Sequence, residues 1–308
     1  MAEPLRIIAA TDFSPAADQA TLRAASLASN LSGDIHLVHV MPPVELLQEI
    51  FVEDHGSEAD RLRMRAEKLL QERAASLKAR FRIEPTCMVV QGRAHEAIMQ
   101  AGKSLDATLL VVGARGEHEA DANAESFGGT AFKLVARSPL PALLVRHDLY
   151  QPYGNVLACA KGVLTDRAVI QWANKLSPES LLHVLSAYRV PHEQRLIDWG
   201  ASRATMDAYA TRQRDERTRH LSKLLEEFGL MAARARLHVS KGEPVETILS
   251  HTMQWKSDLV IVGQRSRAPE GLAGSIARQV ASRAATDVLV VPSKFASRTE
   301  ELMTSHFG

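Results

Sequence analysis

Apolar residues along this chain fall into short dense runs, separated by longer stretches in which they recur every three or four positions. In the first half the runs are Leu5–Thr11, Ile35–Val40, Thr86–Val90, Thr108–Gly113 and Ala142–Val145. Their nearly continuous Leu, Ile and Val content is that of strands covered on both faces, as in a parallel sheet between helices. Between them, Pro15–Asn30 reads as a helix with Ser14 as its N-cap and Pro15 at the first helical position. A longer helix over Glu58–Lys78 sets Leu62, Ala66, Leu69, Leu70 and Leu77 on one face. Strand, helix and strand in this order predict a doubly wound α/β domain.

The plan then recurs about 150 positions later, a spacing that marks a duplicated domain because a solenoid unit repeats every 20–50 residues or so. Strands are expected near Asn155–Ala160, Leu181–Leu185, Ala235–Ser240, Leu259–Gly263 and Val288–Val291, with a long helix over Ser202–Phe228 burying Leu221, Leu224, Leu225 and Phe228. Proline and glycine in HDLYQPYG, residues 147–154, place the join. The expected domains are residues 1–148 and 154–294, followed by a tail over 295–308. Residues 41–57 and 186–201 are the longer connections, leaving the C-terminal edge of each sheet, where open α/β sheets bind ligands. Each could serve as a pocket lid or an interface.

Charge changes this picture little. The chain has 37 basic and 36 acidic side chains, so no net field favours nucleic acid or an anionic membrane. The long helices carry Arg61, Arg63, Arg65, Arg212, Arg214, Arg217 and Arg219 beside acids, the pattern of a solvated face. No apolar stretch approaches the ~20 residues that span a bilayer, and the opening MAEPLRII does not read as a signal segment. The expectation is a soluble cytoplasmic protein. Cys87 and Cys159 read as single buried thiols with a packing role. The twelve histidines show no HExxH spacing, and His36 and His39 fall on opposite faces of one strand, so no metal site is assigned.

Candidate chemistry lies at the strand ends. Asp12 follows the first strand and precedes the Ser14-Pro15 helix start; its carboxylate can accept hydrogen bonds from a base or ribose, or can cap the helix region. The fourth strand ends at Gly113-Ala114-Arg115-Gly116, and Gly129-Thr130 opens a later helix. Glycines let backbone approach an anion, and helix N-terminal amides point at it, so a phosphate site is chemically reasonable here.

Together these residues resemble the universal stress protein family in its tandem form. The first copy shows ATDFSPAADQA, LVHV, VVGARG, GGTAFKLV and SPLPALLV; the second shows LLHV, DLVIVGQRS, AGSIARQV and DVLVVP in the same places. The resemblance implies two tandem doubly wound parallel-sheet domains, Rossmann-like and similar to adenine nucleotide α-hydrolases. In nucleotide-binding members an Asp after the first strand meets the adenosine end, and G-x2-G-x9-G-(S/T) surrounds the phosphates. By position, Asp12 matches the aspartate, Val40 the second-strand residue whose backbone meets the base, and Gly113, Arg115, Gly116, Gly129 and Thr130 the phosphate loop. Twelve residues separate Gly116 from Gly129, three more than the pattern, and they bring in Glu117, Glu119, Asp121 and Glu125. Those acids would repel a triphosphate unless they face away or hold a divalent cation.

The second copy departs in the opposite sense. Lys161 stands where Asp12 stands, while Gly263, Arg265, Ser266, Gly274 and Ser275 outline a phosphate side with Ser266 in place of the second glycine. The resemblance therefore implies a cytoplasmic stress-response binding protein holding ATP with Mg, or a related anion, in at most one copy. It would signal by conformational change to an unidentified protein partner. The last strands, Leu143–Val145 and Leu289–Val291, would pair the copies as an intramolecular pseudo-dimer, with association into a homodimer left open. The alternative is a scaffold or small-ligand carrier with degenerate ATP sites. No catalytic residue is assigned: no base is poised to activate water, and TDFSP and AKGVL lack the Ser-Gly-Gly loop of adenylating relatives.

Overall fold

A computed structural model of the chain describes residues 5–50, 55–114, 128–146, 150–161, 165–230, 234–264 and 275–293. Two compact units meet in sequence between Pro152 and Tyr153.

In the first unit, parallel strands β1 (Arg6–Ala10), β2 (Asp34–Met41), β3 (Thr86–Gln91), β4 (Leu109–Gly113) and β5 (Ala142–Val145) lie in the order β3-β2-β1-β4-β5. The order reverses between β1 and β4, which makes the C-terminal ends of these two strands the topological switch point. Strands β1, β4 and β5 are buried on both faces, as their unbroken apolar runs require, whereas edge strand β3 is half-exposed. Helix α1 (Pro15–Asn30) starts where the sequence places it, with Ser14 Oγ accepting from the Ala17 amide at 3.2 Å. Its buried face is built from Ala17, Ala20, Ala24, Ala25 and Ala28, and these small side chains bring its backbone close to the sheet. A β-carbon on Gly113 would stand 2.8 Å from the Ala16 carbonyl. Two buried polar residues of α1 hold the chain beyond β5: Arg23 donates to the Gln151 carbonyl at 2.7 Å, and Ser26 donates to the Tyr150 carbonyl.

The connection after β2 contains a short helix, α2 (Val44–Ile50), which buries Leu47 and packs on α3 (His55–Phe81). On α3, Ala66, Leu70 and Leu77 are buried and Leu69 is half-buried. Leu62 corrects the predicted stripe: it is exposed, because the N-terminal turns of α3 lie clear of the sheet. Cys87 is a second correction, being exposed on edge strand β3 with only its Sγ directed to the Leu70 carbonyl at 3.5 Å. The unit is completed by α4 (Ala94–Ser104) and α5 (Gly129–Arg137), which pack on each other.

The second unit repeats the topology. Strands β6 (Asn155–Cys159), β7 (Leu181–Tyr188), β8 (Ala235–Lys241), β9 (Leu259–Gly263) and β10 (Asp287–Val291) are parallel in the order β10-β9-β6-β7-β8. Helices α6 (Thr165–Leu176), α7 (Glu193–Asp198), α8 (Arg203–Glu227), α9 (Pro244–Gln254) and α10 (Ser275–Arg283) connect them. On α8, Leu221, Leu224 and Leu225 are buried, while Phe228 is half-buried under the Arg167 guanidinium. The connection after β7 has a small core of its own, in which Tyr188, Val190, Met206 and Ala210 pack with Leu196 and Ile197. Cys159 is fully buried, and burial pushes its thiol up to about 12. The predicted tail over 295–308 lies outside the described residues.

Candidate functional site

At the switch point of the first unit, the strand register carries the ends of β1, β2 and β4 to one edge. Ala10 lies opposite Val38 and Ala9 opposite Val111, and the Thr11 amide extends the ladder to the Val38 carbonyl at 2.9 Å. Asp12, Val40 and Gly113 therefore share that edge. Asp12 is exposed, and its Oδ1 accepts the Ser14 amide at 3.0 Å. One carboxylate oxygen thus turns the chain into α1, so the capping role foreseen for this residue is present. Phe13, between them, has a left-handed backbone with φ 65°, and its amide is held by Thr11 Oγ1 at 3.0 Å.

That turn lays the Phe13 ring on His39, with centroids 4.5 Å apart and planes 30° apart. His39 is fixed in turn by Nδ1, which donates to the Thr11 carbonyl at 2.9 Å in the matching tautomer. Phe13 and His39 form a half-buried aromatic shelf between Asp12 and Val40. Sequence reasoning did not single them out, since the pairing depends on a positive φ at a non-glycine residue.

The phosphate side is assembled by one backbone contact. The Gly128 amide donates to the Ala114 carbonyl at 2.8 Å, so the chain leaving β4 returns to its starting point to begin α5. Gly113 and Gly129 are thereby brought together. The N-cap residue of α5, Gly128, makes no side-chain cap, and Gly129 and Thr130 are exposed at the first turn. A helix N-terminus is the positive end of the helix dipole. Arg115 and Gly116, with the acids at 117, 119, 121 and 125, lie outside the described residues.

The equivalent edge of the second unit is built differently. The Lys161 amide donates to Oδ1 of Asp166 at 2.9 Å; Asp166 is 1 % exposed in the first turn of α6, and His220 Nε2 stands 3.7 Å from its other oxygen. The acid has moved from the strand end into the buried helix start, leaving a lysine at the edge. Gly263 ends β9 as Gly113 ends β4, and a β-carbon there would meet Thr165 Oγ1 at 2.9 Å. Both glycines therefore serve close helix packing as well as the edge. Arg265, Ser266 and Gly274 lie outside the described residues, and Ser275 opens α10. Among the described residues no group of three or more His, Cys, Asp or Glu side chains could hold a metal ion, and no helix is long and apolar enough to cross a membrane.

The sequence profile of the universal stress protein family matches residues 5–146 and again residues 152–292. The chain belongs to the universal stress protein family, with two domains in tandem. A universal stress protein of Thermus aquaticus is 32% identical over 141 residues, which cover 46% of this chain and 97% of that protein. In structure, this family member is similar to a universal stress protein from Archaeoglobus fulgidus, with a TM-score of 0.69 at 16% identity over 93% of this chain and 98% of the other. It is also similar to a Pseudomonas aeruginosa chain named for the same family, with a TM-score of 0.62 at 17% identity over 97% of both. At these identities the structural likeness concerns the fold: tandem universal stress protein domains on parallel sheets between helices.

Proposed function

We propose that the first universal stress protein domain binds an adenine nucleotide at the C-terminal edge of β1, β2 and β4, and that the second domain does not. The observation that carries this reading is the Ala114–Gly128 contact, which sets the α5 N-terminus beside the strand end next to exposed Asp12. Phosphate would meet the α5 amides and Thr130, with Gly113, Arg115, Gly116 and Gly129 forming the loop around it. The adenosine end would meet Asp12 and the Val40 backbone, with the base against the Phe13–His39 shelf. ATP with Mg is the form we favour, its cation offsetting the repulsion between the phosphates and the acids at 117, 119, 121 and 125. In this reading the protein acts in the cytoplasm as a binding protein, and occupancy changes a surface met by a protein partner.

Two differences support a site in one copy alone. Lys161 replaces the exposed carboxylate, and the buried Asp166 is committed to the Lys161 amide. The test is calorimetric titration of the intact chain with ATP and magnesium. Asp12→Ala and Thr130→Ala should each weaken binding about tenfold, the loss of one or two hydrogen bonds to a charged ligand. Lys161→Ala should leave it unchanged. Unchanged affinity in both first-domain variants would remove the site and favour a scaffold or carrier of another ligand, with Asp12 serving only the Ser14 turn.

A further inference from the structure

The second unit carries a ring cluster that the first lacks. His183 on β7, His238 on β8, His251 on α9 and Trp255 just beyond it pack together. The Trp255 ring lies 4.4 Å from His183 with planes 11° apart, 4.2 Å from His238 and 4.5 Å from His251. His183 Nδ1 and His238 Nε2 stand 3.2 Å apart. The register explains their meeting: His183 lies opposite Arg236, so His238 is its diagonal neighbour two positions on, on the same face. His251 is engaged elsewhere, its Nδ1 donating to the Thr247 carbonyl at 2.7 Å.

The corresponding positions of the first copy hold His36, Met88, Ala101 and Leu105, aligned through Gly92 with Gly242 and through α4 with α9. The same fold thus forms with an apolar set at this place, and there His36 Nδ1 turns to Thr86 Oγ1 at 2.6 Å. Three ring side chains gathered around the shared histidine are a property of the second copy rather than a demand of its architecture.

The two imidazole nitrogens are hydrogen-bonded to each other at 3.2 Å, which is also the separation of neighbouring ligands on one metal ion. With metal–nitrogen bonds of about 2.0–2.1 Å, a tetrahedral pair lies about 3.3 Å apart. Burial lowers the basicity of both rings, helped by Arg236 near His183 and by His183 and His251 near His238. Imidazole binds metals in its neutral form, which burial favours at both rings. In the metal-free pair one facing nitrogen carries the proton of their hydrogen bond; on binding that bond breaks and the proton moves to the outward nitrogen of the same ring, so no proton is released overall. His238 and Trp255 are half-exposed, which opens the pair to an ion and to the solvent oxygens that complete its coordination.

We propose that His183 and His238 form a two-histidine chelate for a borderline transition-metal ion, zinc or copper, with Trp255 as its aromatic wall. Imidazole suits both metals, and copper should bind the tighter of the two.

The test uses the untagged full chain after treatment with EDTA, titrated calorimetrically with zinc chloride, and with copper chloride while tryptophan fluorescence is followed. One saturable site per chain is expected, with copper quenching that Trp255→Phe largely removes. Loss of even an outer partner of a metal ligand costs 10–100-fold, so His238→Met should weaken binding at least about tenfold. That variant carries the residue found at the same place in the first copy and should fold; His183→Asn gives the second check and should show a similar loss. His251→Ala should stay within about threefold of the parent. No saturable site in the parent, undiminished binding in both His238→Met and His183→Asn, or a loss in His251→Ala equal to that in His238→Met would overturn the assignment.

Discussion

Gly113 lies where α1 crosses the end of β4 so closely that a β-carbon would meet the Ala16 carbonyl carbon and oxygen at 2.8 Å. Helix backbone gives way less readily than a side chain, so Gly113→Ala should cost about 1–3 kcal/mol in urea unfolding, the usual range for overpacking. At Gly263 the obstacle is the Thr165 side chain, and Gly263→Ala should cost less; the reverse order would contradict the packing described for α1. The two thiols also separate at this scale. Cys87 is exposed while Cys159 is buried with its thiol pushed up to about 12. Iodoacetamide at pH 8 should therefore label one cysteine in the native chain, Cys87, and both only in denaturant. Native labelling of Cys159 would contradict its burial. Cys87 and Leu62 also mark what the sequence hides: composition and periodicity give a residue's preference, but an edge strand or the free end of a long helix leaves an apolar side chain in solvent.

Elements were the most legible level. The dense runs at Leu259–Gly263 and Ala142–Val145 coincide with β9 and β5, and Ser14 and Pro15 open α1 as their chemistry requires. Ser14→Ala should cost about 1 kcal/mol, the worth of a typical N-cap, read as a lower urea midpoint at unchanged slope. The connections after β2 and β7 were less legible. Their helices α2 and α7 are short, and α7 follows a left-handed His192, so neither has a long enough apolar period to announce itself. The candidate edge is legible where it rests on strand ends, as at Asp12 and Gly129, and illegible where it rests on a turn, as with the Phe13–His39 shelf. The ring cluster on β7, β8 and α9 makes a prediction about pH. Burial holds His183 and His238 below their ordinary pKa, so the unfolded chain takes up these protons first as pH falls. Their contribution to stability is complete above about pH 6.5 and is lost as pH falls through the lowered values. Unfolding midpoints of the metal-free chain should drop between pH 7 and pH 5, and His238→Met should flatten that slope. An equal slope in the variant would mean that the ring pair is not the source.

At the scale of the molecule, the chain keeps one topology twice and varies what stands at the strand ends. The first domain exposes a carboxylate beside an aromatic shelf and the start of α5; the second buries its acid, presents Lys161 and gathers histidines on β7 and β8. Duplication relieves each copy of carrying every function, and the account assigns nucleotide to the first. Native mass spectrometry of the untreated protein, followed by calorimetric titration with ATP and magnesium, addresses that assignment most directly. One adenine nucleotide per chain is expected, bound about tenfold more weakly by Asp12→Ala and unchanged in Lys161→Ala. A chain that neither retains nor binds adenine nucleotide, or one whose binding is lost with Lys161→Ala and kept in Asp12→Ala, would contradict it.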